Sequence, residues 1–269
     1  LSVLFAEAFI PYCPRRTMGD NDPVARARRL ARTASLGGLL AASYGYMRAR
    51  ETLAPPEARA ALRGVHIRRF MRRCLSLLSV TVLRDGDAPP RAGSRVIVCN
   101  HRSGLDIPLL GSLFDAAFLS RADLGRWPAI GEAARHIGTL FVERKDQTSR
   151  AGAIKAMRRV LEAGESVLVF PEGTTFAGDE VRPFHAGAFL AAKGIDTAVL
   201  PVGVAYEPAA QYVQPSFGAH LAVVSALPHV RCAVVIGEAR PLGSARDEAE
   251  RTRAEVAALV QRARALLGG

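Results

Sequence analysis

The sequence predicts an α/β domain that carries a basic helical segment at its N-terminal end, and three observations predict it. From about Ser79 onward, short β-rich runs alternate with stretches of helical periodicity, the order expected of a sheet covered by helices. Residues 1–78 have no such runs and read as helical, with Pro55-Pro56 as a break. Charge is also segregated. The chain of 269 residues has a net charge of +11; residues 1–95 hold 17 Arg and 7 acidic residues, +10, and everything after them contributes +1. Residues 1–78 therefore form an N-terminal segment and 79–269 the α/β domain. A basic end of this kind suits an anionic surface, either lipid headgroups or nucleic acid.

The N-terminal segment has two apolar elements. Thr33 to Met47 is uncharged but contains Gly37, Gly38 and Gly45. As a helix it would reach only ~22 Å, short of a hydrocarbon core of ~30 Å, so no crossing of a bilayer is expected. In Gly64–Leu78, Ile67, Phe70, Met71, Cys74, Leu75 and Leu78 recur at helical spacing, while Arg68, Arg69, Arg72 and Arg73 fill the opposite face. Such a helix can lie in a membrane interface, with the apolar stripe in the acyl boundary and the guanidinium groups at the phosphates. The alternative is an ordinary surface helix with a solvated basic face.

In the α/β region, strands are predicted at Ser79–Leu83, Arg95–Cys99, Ala117–Leu119, Thr139–Val142, Ser166–Phe170, Ala198–Tyr206 and Arg231–Gly237. Helical patterns fit Leu105–Phe114, Pro128–His136, Thr148–Ala163, His185–Lys193 and Arg246–Leu267. Apolar residues make up 49% of the chain, enough for a substantial core. The four cysteines, Cys13, Cys74, Cys99 and Cys232, stand alone. They argue for a reducing compartment and against a disulfide framework or a zinc site, so no metal is expected.

Four segments carry chemistry. Val96 to Cys99 reads as a buried strand that delivers Asn100-His101 at its C-terminal end, where α/β sheets place their sites. Asp106 follows five residues later at a helix start. A carboxylate there can bond one imidazole nitrogen and raise the basicity of the other. The second segment, Pro171-Glu172-Gly173-Thr174-Thr175, follows the apolar strand Val167–Phe170; Gly173 permits close backbone approach, and the hydroxyls and N–H groups can bind an oxyanion. The third, Gly138 to Arg144, sets a cation just past a strand end, where it suits a phosphate. The fourth, Val199 to Val204, is an apolar strand whose Pro201 implies an edge or an irregular ladder.

In this order and spacing, the four segments resemble the glycerolipid acyltransferase superfamily, in particular its lysophosphatidic acid acyltransferase-like (1-acyl-sn-glycerol-3-phosphate acyltransferase) members. The family's HxxxxD, FxxR, FPEGT and apolar-proline blocks read here as His101–Asp106, Phe141–Arg144, Phe170–Thr174 and Val199–Val204. The resemblance implies a mostly parallel sheet flanked by helices, with a two-helix N-terminal element that docks to the bilayer. It implies His101 as general base and Asp106 as its orienter, with direct attack of an acceptor hydroxyl on an acyl thioester. It places Asn100, Ser103, Phe141, Arg144, Glu172, Gly173, Thr174 and Pro201 around the substrates, with Asn100 and Ser103 flanking the base and helping to set its position, Arg144 on a phosphate, and Glu172, Gly173 and Thr174 in the acceptor-binding loop. No cofactor is implied, since acyl-CoA or acyl carrier protein would be a donor substrate.

Two departures bear on the acceptor. Members that use lysophosphatidic acid often continue FPEGT with Arg-Ser, where this chain has Thr175-Phe176, and they often carry Lys where it has His185. Both changes remove positive charge. The expected acceptor is 1-acylglycerol-3-phosphate in phospholipid biosynthesis. The alternatives are another lysolipid, such as a lyso-aminolipid of the lyso-ornithine type, and a non-enzymatic membrane-binding relative. The expected partners are an anionic membrane surface, the lysolipid and thioester substrates, and acyl carrier protein as a candidate donor. The expected place is the cytoplasmic face of a bacterial membrane, peripheral or monotopic. Nucleic acid is not expected, because no nucleic-acid-binding signature accompanies the basic end.

Overall fold

A computed structural model describes residues 22–89, 93–121, 131, 139–142, 147–243 and 245–268. Helix α1 (Pro23–Leu53) begins at Asp22, whose side chain accepts from Val24 N at 2.9 Å, with Pro23 in the first turn. The break at Pro55-Pro56 separates it from α2 (Pro56–Leu77). The two helices pack on each other through Ser43 Oγ and His66 Nε2 at 2.7 Å, Tyr46 stacked on His66, and an Arg63–Glu51 ion pair at 3.1 Å.

Helix α2 also packs on the α/β domain, which corrects part of the expectation for its two faces. Met71 is buried, with its Cγ 3.2 Å from where a Cβ on Gly111 would lie. It fills an interior contact with α3 (Asp106–Leu113) and is not available to a bilayer. Arg68 is drawn inward to Asp115 at 3.0 Å. Arg69, Arg72 and Arg73 are exposed, and Phe70 is half-buried. Among the described residues, no helix is long and apolar enough to cross a membrane.

The sheet comprises β1 (Val80–Asp85), β2 (Arg95–Cys99), β3 (Ala116–Arg121), β4 (Leu140–Val142), β5 (Ser166–Val169), β6 (Ala198–Tyr206), β7 (Val230–Ile236) and the short β8 (Arg240–Pro241). Their order is β1-β7-β6-β2-β5-β3-β4, with β8 beside β6. All pairings are parallel except β6 with β7 and β6 with β8. Helices α4 (Gln147–Glu162), α5 (Gly187–Ala192), α6 (Phe217–Ala226) and α7 (Ala245–Leu266) follow among the described residues.

Both faces of the sheet are covered. Ile97, Leu168, Leu200 and Val202 pack with Leu109 and Leu110 of α3 and Val224 of α6. Val96, Val98, Val167 and Val199 pack with Met157 of α4, Phe189 of α5 and Val256 and Val260 of α7. Two-sided burial explains why the central strands read as unbroken apolar runs rather than as alternation.

Helix α6 and β8 were not expected from the sequence. The helix predicted at 128–136 lies outside the described residues, apart from residue 131. Pro201 is not on an edge, because β6 lies between β2 and β7. The irregular ladder is present: β8 pairs up to Val199 and β7 resumes at Val202, so the break falls beside a residue with no N–H to give.

Candidate active site

Parallel pairing of β2 with β5, Val98 beside Val169, brings two strand ends together. His101 follows β2 and Glu172 follows β5, so residues 71 apart meet: His101 N donates to Glu172 Oε2 at 2.7 Å.

The His101 Nδ1 lies 2.7 Å from Asp106 Oδ2. The same oxygen accepts from the backbone N–H groups of Arg102 at 2.7 Å and Ser103 at 3.0 Å. Three donors converge on one carboxylate oxygen, and Asp106 is fully buried at the first turn of α3, where the helix dipole favours negative charge. Because that oxygen can only accept, Nδ1 carries a proton, and in the neutral imidazole the lone pair is on Nε2. The imidazole stacks on Phe170, with ring centroids 4.1 Å apart and 15° between planes, and its side chain is 17% exposed. The ring is held in one plane with one edge reachable, the arrangement a general base needs. The buried Tyr206 phenol also lies against Asp106. Burial first, and then the carboxylate's charge, push it well above its usual range, so it remains a neutral O–H beside the ion.

Several residues expected around substrate are occupied inside the protein. Asn100 is fully buried and bonds both ways to the β6 backbone, accepting from Val204 N at 2.8 Å and donating to Val204 O at 2.9 Å. It continues the β2–β6 ladder by one side chain and fixes where His101 emerges. Ser103 donates to Ala210 O at 2.7 Å and is likewise buried. The Glu172 side chain is buried and held by Arg102, by His101 N and by Arg182 N at 2.9 Å. It is a brace between the two strand-end loops, not an acceptor contact. Pro201 is buried against Gly237, where a Cβ would lie 2.9 Å from its Cγ.

Gly173 has φ +79, the left-handed region that favours glycine, and a Cβ there would meet the His185 ring at 3.2 Å. Thr174 is exposed beside it. Arg144 and the Phe141 side chain lie outside the described residues.

Two residues that lie in or pack against the His101–Asp106 turn escaped the sequence reading. Arg102 is 1% exposed and spans Glu172 with two nitrogens, at 2.7 and 3.0 Å, while also donating to the carbonyls of His101, Gly178 and Glu180. His220 reaches the same loop from α6. The signals for α6 were Ser216, whose hydroxyl accepts from Ala219 N, and Pro228 beyond its end.

No described thiol suits nucleophilic work. Burial, and after it the charge of Asp106, push the Cys99 thiol well above its usual range; burial raises Cys74 and Cys232 to about 12.

The geometry is that of an activated histidine at a strand end, and the comparisons with known proteins agree. The sequence model described as Acyltransferase matches residues 81–205. A lyso-ornithine lipid O-acyltransferase of Pseudomonas aeruginosa is 37% identical over 186 residues, 68% of this chain and 70% of that protein. The chain belongs to the acyltransferase family. A second relative, a 1-acyl-sn-glycerol-3-phosphate acyltransferase of Neisseria meningitidis, is 27% identical over 54% of this chain and 58% of its own length. The fold matches that of the LPA acyltransferase PlsC from Thermotoga maritima with a TM-score of 0.71 and 21% identity, covering 91% of this chain and 98% of that one.

Proposed function

We propose that the protein transfers a fatty acyl group from an acyl thioester, acyl-CoA or acyl carrier protein, to the free hydroxyl of a lysolipid at a membrane surface. The observation that carries this is the His101–Asp106 contact, with its carboxylate oxygen fixed by three donors. Nε2 takes the hydroxyl proton as the oxygen attacks the thioester carbonyl. The tetrahedral intermediate collapses with cleavage of the carbon–sulfur bond, and the imidazolium returns its proton to the leaving thiolate. Asp106 stabilises the imidazolium between these steps.

The names of the relatives support two acceptors, 1-acylglycerol-3-phosphate and lyso-ornithine lipid. A local observation favours the amino-lipid. Thr175-Phe176 stands where members using lysophosphatidic acid often carry Arg-Ser, and the Phe176 N–H donates to His101 O at 3.2 Å. Over its ring, at 5.3 Å, sits the Arg182 guanidinium, whose side chain is 45% exposed and 3.4 Å from Glu180. A cation and a carboxylate side by side match a headgroup carrying both a carboxylate and an amine better than they match a phosphate. With both acceptors supplied to the purified enzyme and labelled thioester, kcat/KM should be higher for lyso-ornithine lipid. Arg182→Gln should raise the KM for that acceptor on the order of 10-fold, as loss of a charged hydrogen bond would. A higher kcat/KM for 1-acylglycerol-3-phosphate, unaffected by the substitution, would return the assignment to the phosphate acceptor.

The docking surface is proposed on α1 and α2. Exposed Arg69, Arg72 and Arg73 lie on α2, and α1 exposes the uncharged Ala34, Gly37, Ala41 and Gly45 together with Leu30 at 59%. An arginine near an anionic bilayer contributes about 1 kcal/mol, screened by salt. Replacing the three arginines by Gln should release the protein from anionic vesicles much more than from neutral ones, and more so at low salt. Leu30→Ser should weaken binding to both. Co-sedimentation unchanged by the arginine substitutions would remove α2 from the interface.

A further inference from the structure

The geometry points to His220 as a positioning residue for acyl transfer, one that holds the turn between His101 and Asp106 by accepting the Gly104 N–H. This rests on the general-base reading of His101. His220 lies outside the span 81–205 that the family's sequence model matches.

His220 is 1% exposed, at the fourth residue of α6. Its Nε2 lies 3.0 Å from Gly104 N, and a backbone N–H can only donate. That nitrogen therefore holds the lone pair and Nδ1 holds the proton, which it gives to Gln214 Oε1 at 2.9 Å. The Gln214 amide oxygen also accepts from Val213 N at 3.2 Å, which fixes which end of the amide faces the ring. Ser103 Oγ, 3.1 Å from Nε2, has its own hydrogen committed to Ala210 O, so the Gly104 N–H has the lone pair to itself. Burial lowers the imidazole to about 4, the nearby Asp106 charge opposing and His101 adding to that effect, so the ring stays neutral where the enzyme works. Tyr212 packs on the ring at 4.6 Å, and Tyr212 N donates to Arg102 O at 2.8 Å, tying a second point of the same turn.

Gly104 is the residue after Ser103, whose N–H, with that of Arg102, holds Asp106 Oδ2. A turn that rotates at Gly104 carries those two donors away from the carboxylate, and the carboxylate away from His101 Nδ1. The fit is close. A Cβ on Gly104 would lie 2.8 Å from His220 Cδ2 and 3.0 Å from a Phe217 ring carbon. At 1% exposure His220 has almost no surface to offer a substrate; it sets the angle at which the base is presented.

Loss of that support should appear in kcat rather than in binding. In His220→Leu, similar in bulk but without an acceptor, kcat should fall roughly 10–100-fold, the scale on which a shift of about an ångström acts, with both substrates' KM values within twofold of wild type. His220→Gln, whose side-chain oxygen can accept the same N–H, should recover at least a tenth of wild-type kcat. If His220→Leu does not fold, Gln214→Leu carries the test. It frees Nδ1–H and should lower kcat severalfold, while Gln214→Glu, still an acceptor, should not. A folded His220→Leu enzyme with wild-type kcat would overturn the inference while His101→Ala stays inactive. So would equal losses in the Leu and Gln variants, or a loss confined to KM. An active His101→Ala enzyme would instead remove the general-base reading beneath it.

Discussion

His101→Ala should lower kcat/KM for acyl transfer by about 10²–10⁴-fold, the range a positioned general base contributes, without unfolding the protein. Folding should survive because the Asp106 carboxylate keeps the Arg102 and Ser103 N–H groups, and because the imidazole is a rim group stacked on Phe170 rather than a core side chain. Asp106→Asn should fall short of that loss. Its amide oxygen can take the place of Oδ2 and preserve the three donors' geometry, but the negative charge that stabilises the imidazolium is gone. Single-turnover assays with labelled thioester and acceptor, with thermal melts of each variant, would measure both effects. Wild-type turnover in a folded His101→Ala protein is the result the mechanism cannot accommodate.

The site was legible in the sequence to the extent that its chemistry is local. His101 and Asp106 are five residues apart, so a strand end followed by a helix start places them together without knowledge of the rest of the fold. Glu172 was read as an acceptor contact because its partners are distant in sequence. The β2–β5 pairing that brings Arg102 and His101 N to it is a tertiary fact. Arg102 drew no attention because an arginine reads as solvated by default, and only its five acceptors inside the protein make burial tolerable. Arg68 and Met71 show the same limit on α2. Helical spacing was read as putting Arg68 on the polar face, but Arg68 lies between Gly64 and Met71 on the packed side, where it meets Asp115 while Met71 meets α3. The central strands were recognised because two-sided burial leaves an unbroken apolar run. Helix α6, uncharged and rich in small residues, offered no amphipathic stripe, and its own sequence does not reveal the role of His220.

The second large effect should come from Arg102, through stability as well as rate. Its guanidinium and the Glu172 carboxylate are both removed from water, with side-chain exposures of 1% and 0%. Breaking such a pair from one side typically costs about 3–5 kcal/mol, because the partner charge is left buried and uncompensated. Arg102→Met should therefore destabilise the enzyme on that scale in urea melts. Activity should fall even where the protein is folded, since Glu172 also holds His101 N and Arg102 also holds His101 O. Arg102→Lys should rescue little, because an ammonium with three donors cannot span the two carboxylate oxygens and the Gly178 and Glu180 carbonyls that the planar fork reaches. Adding Glu172→Gln to Arg102→Met removes the stranded charge. The double variant should be more stable than the sum of the two single losses, with a coupling on the order of 1–3 kcal/mol. Strict additivity would mean that the two side chains do not act as a unit, and the brace between the β2 and β5 loops would then have to lie in their backbone contacts alone.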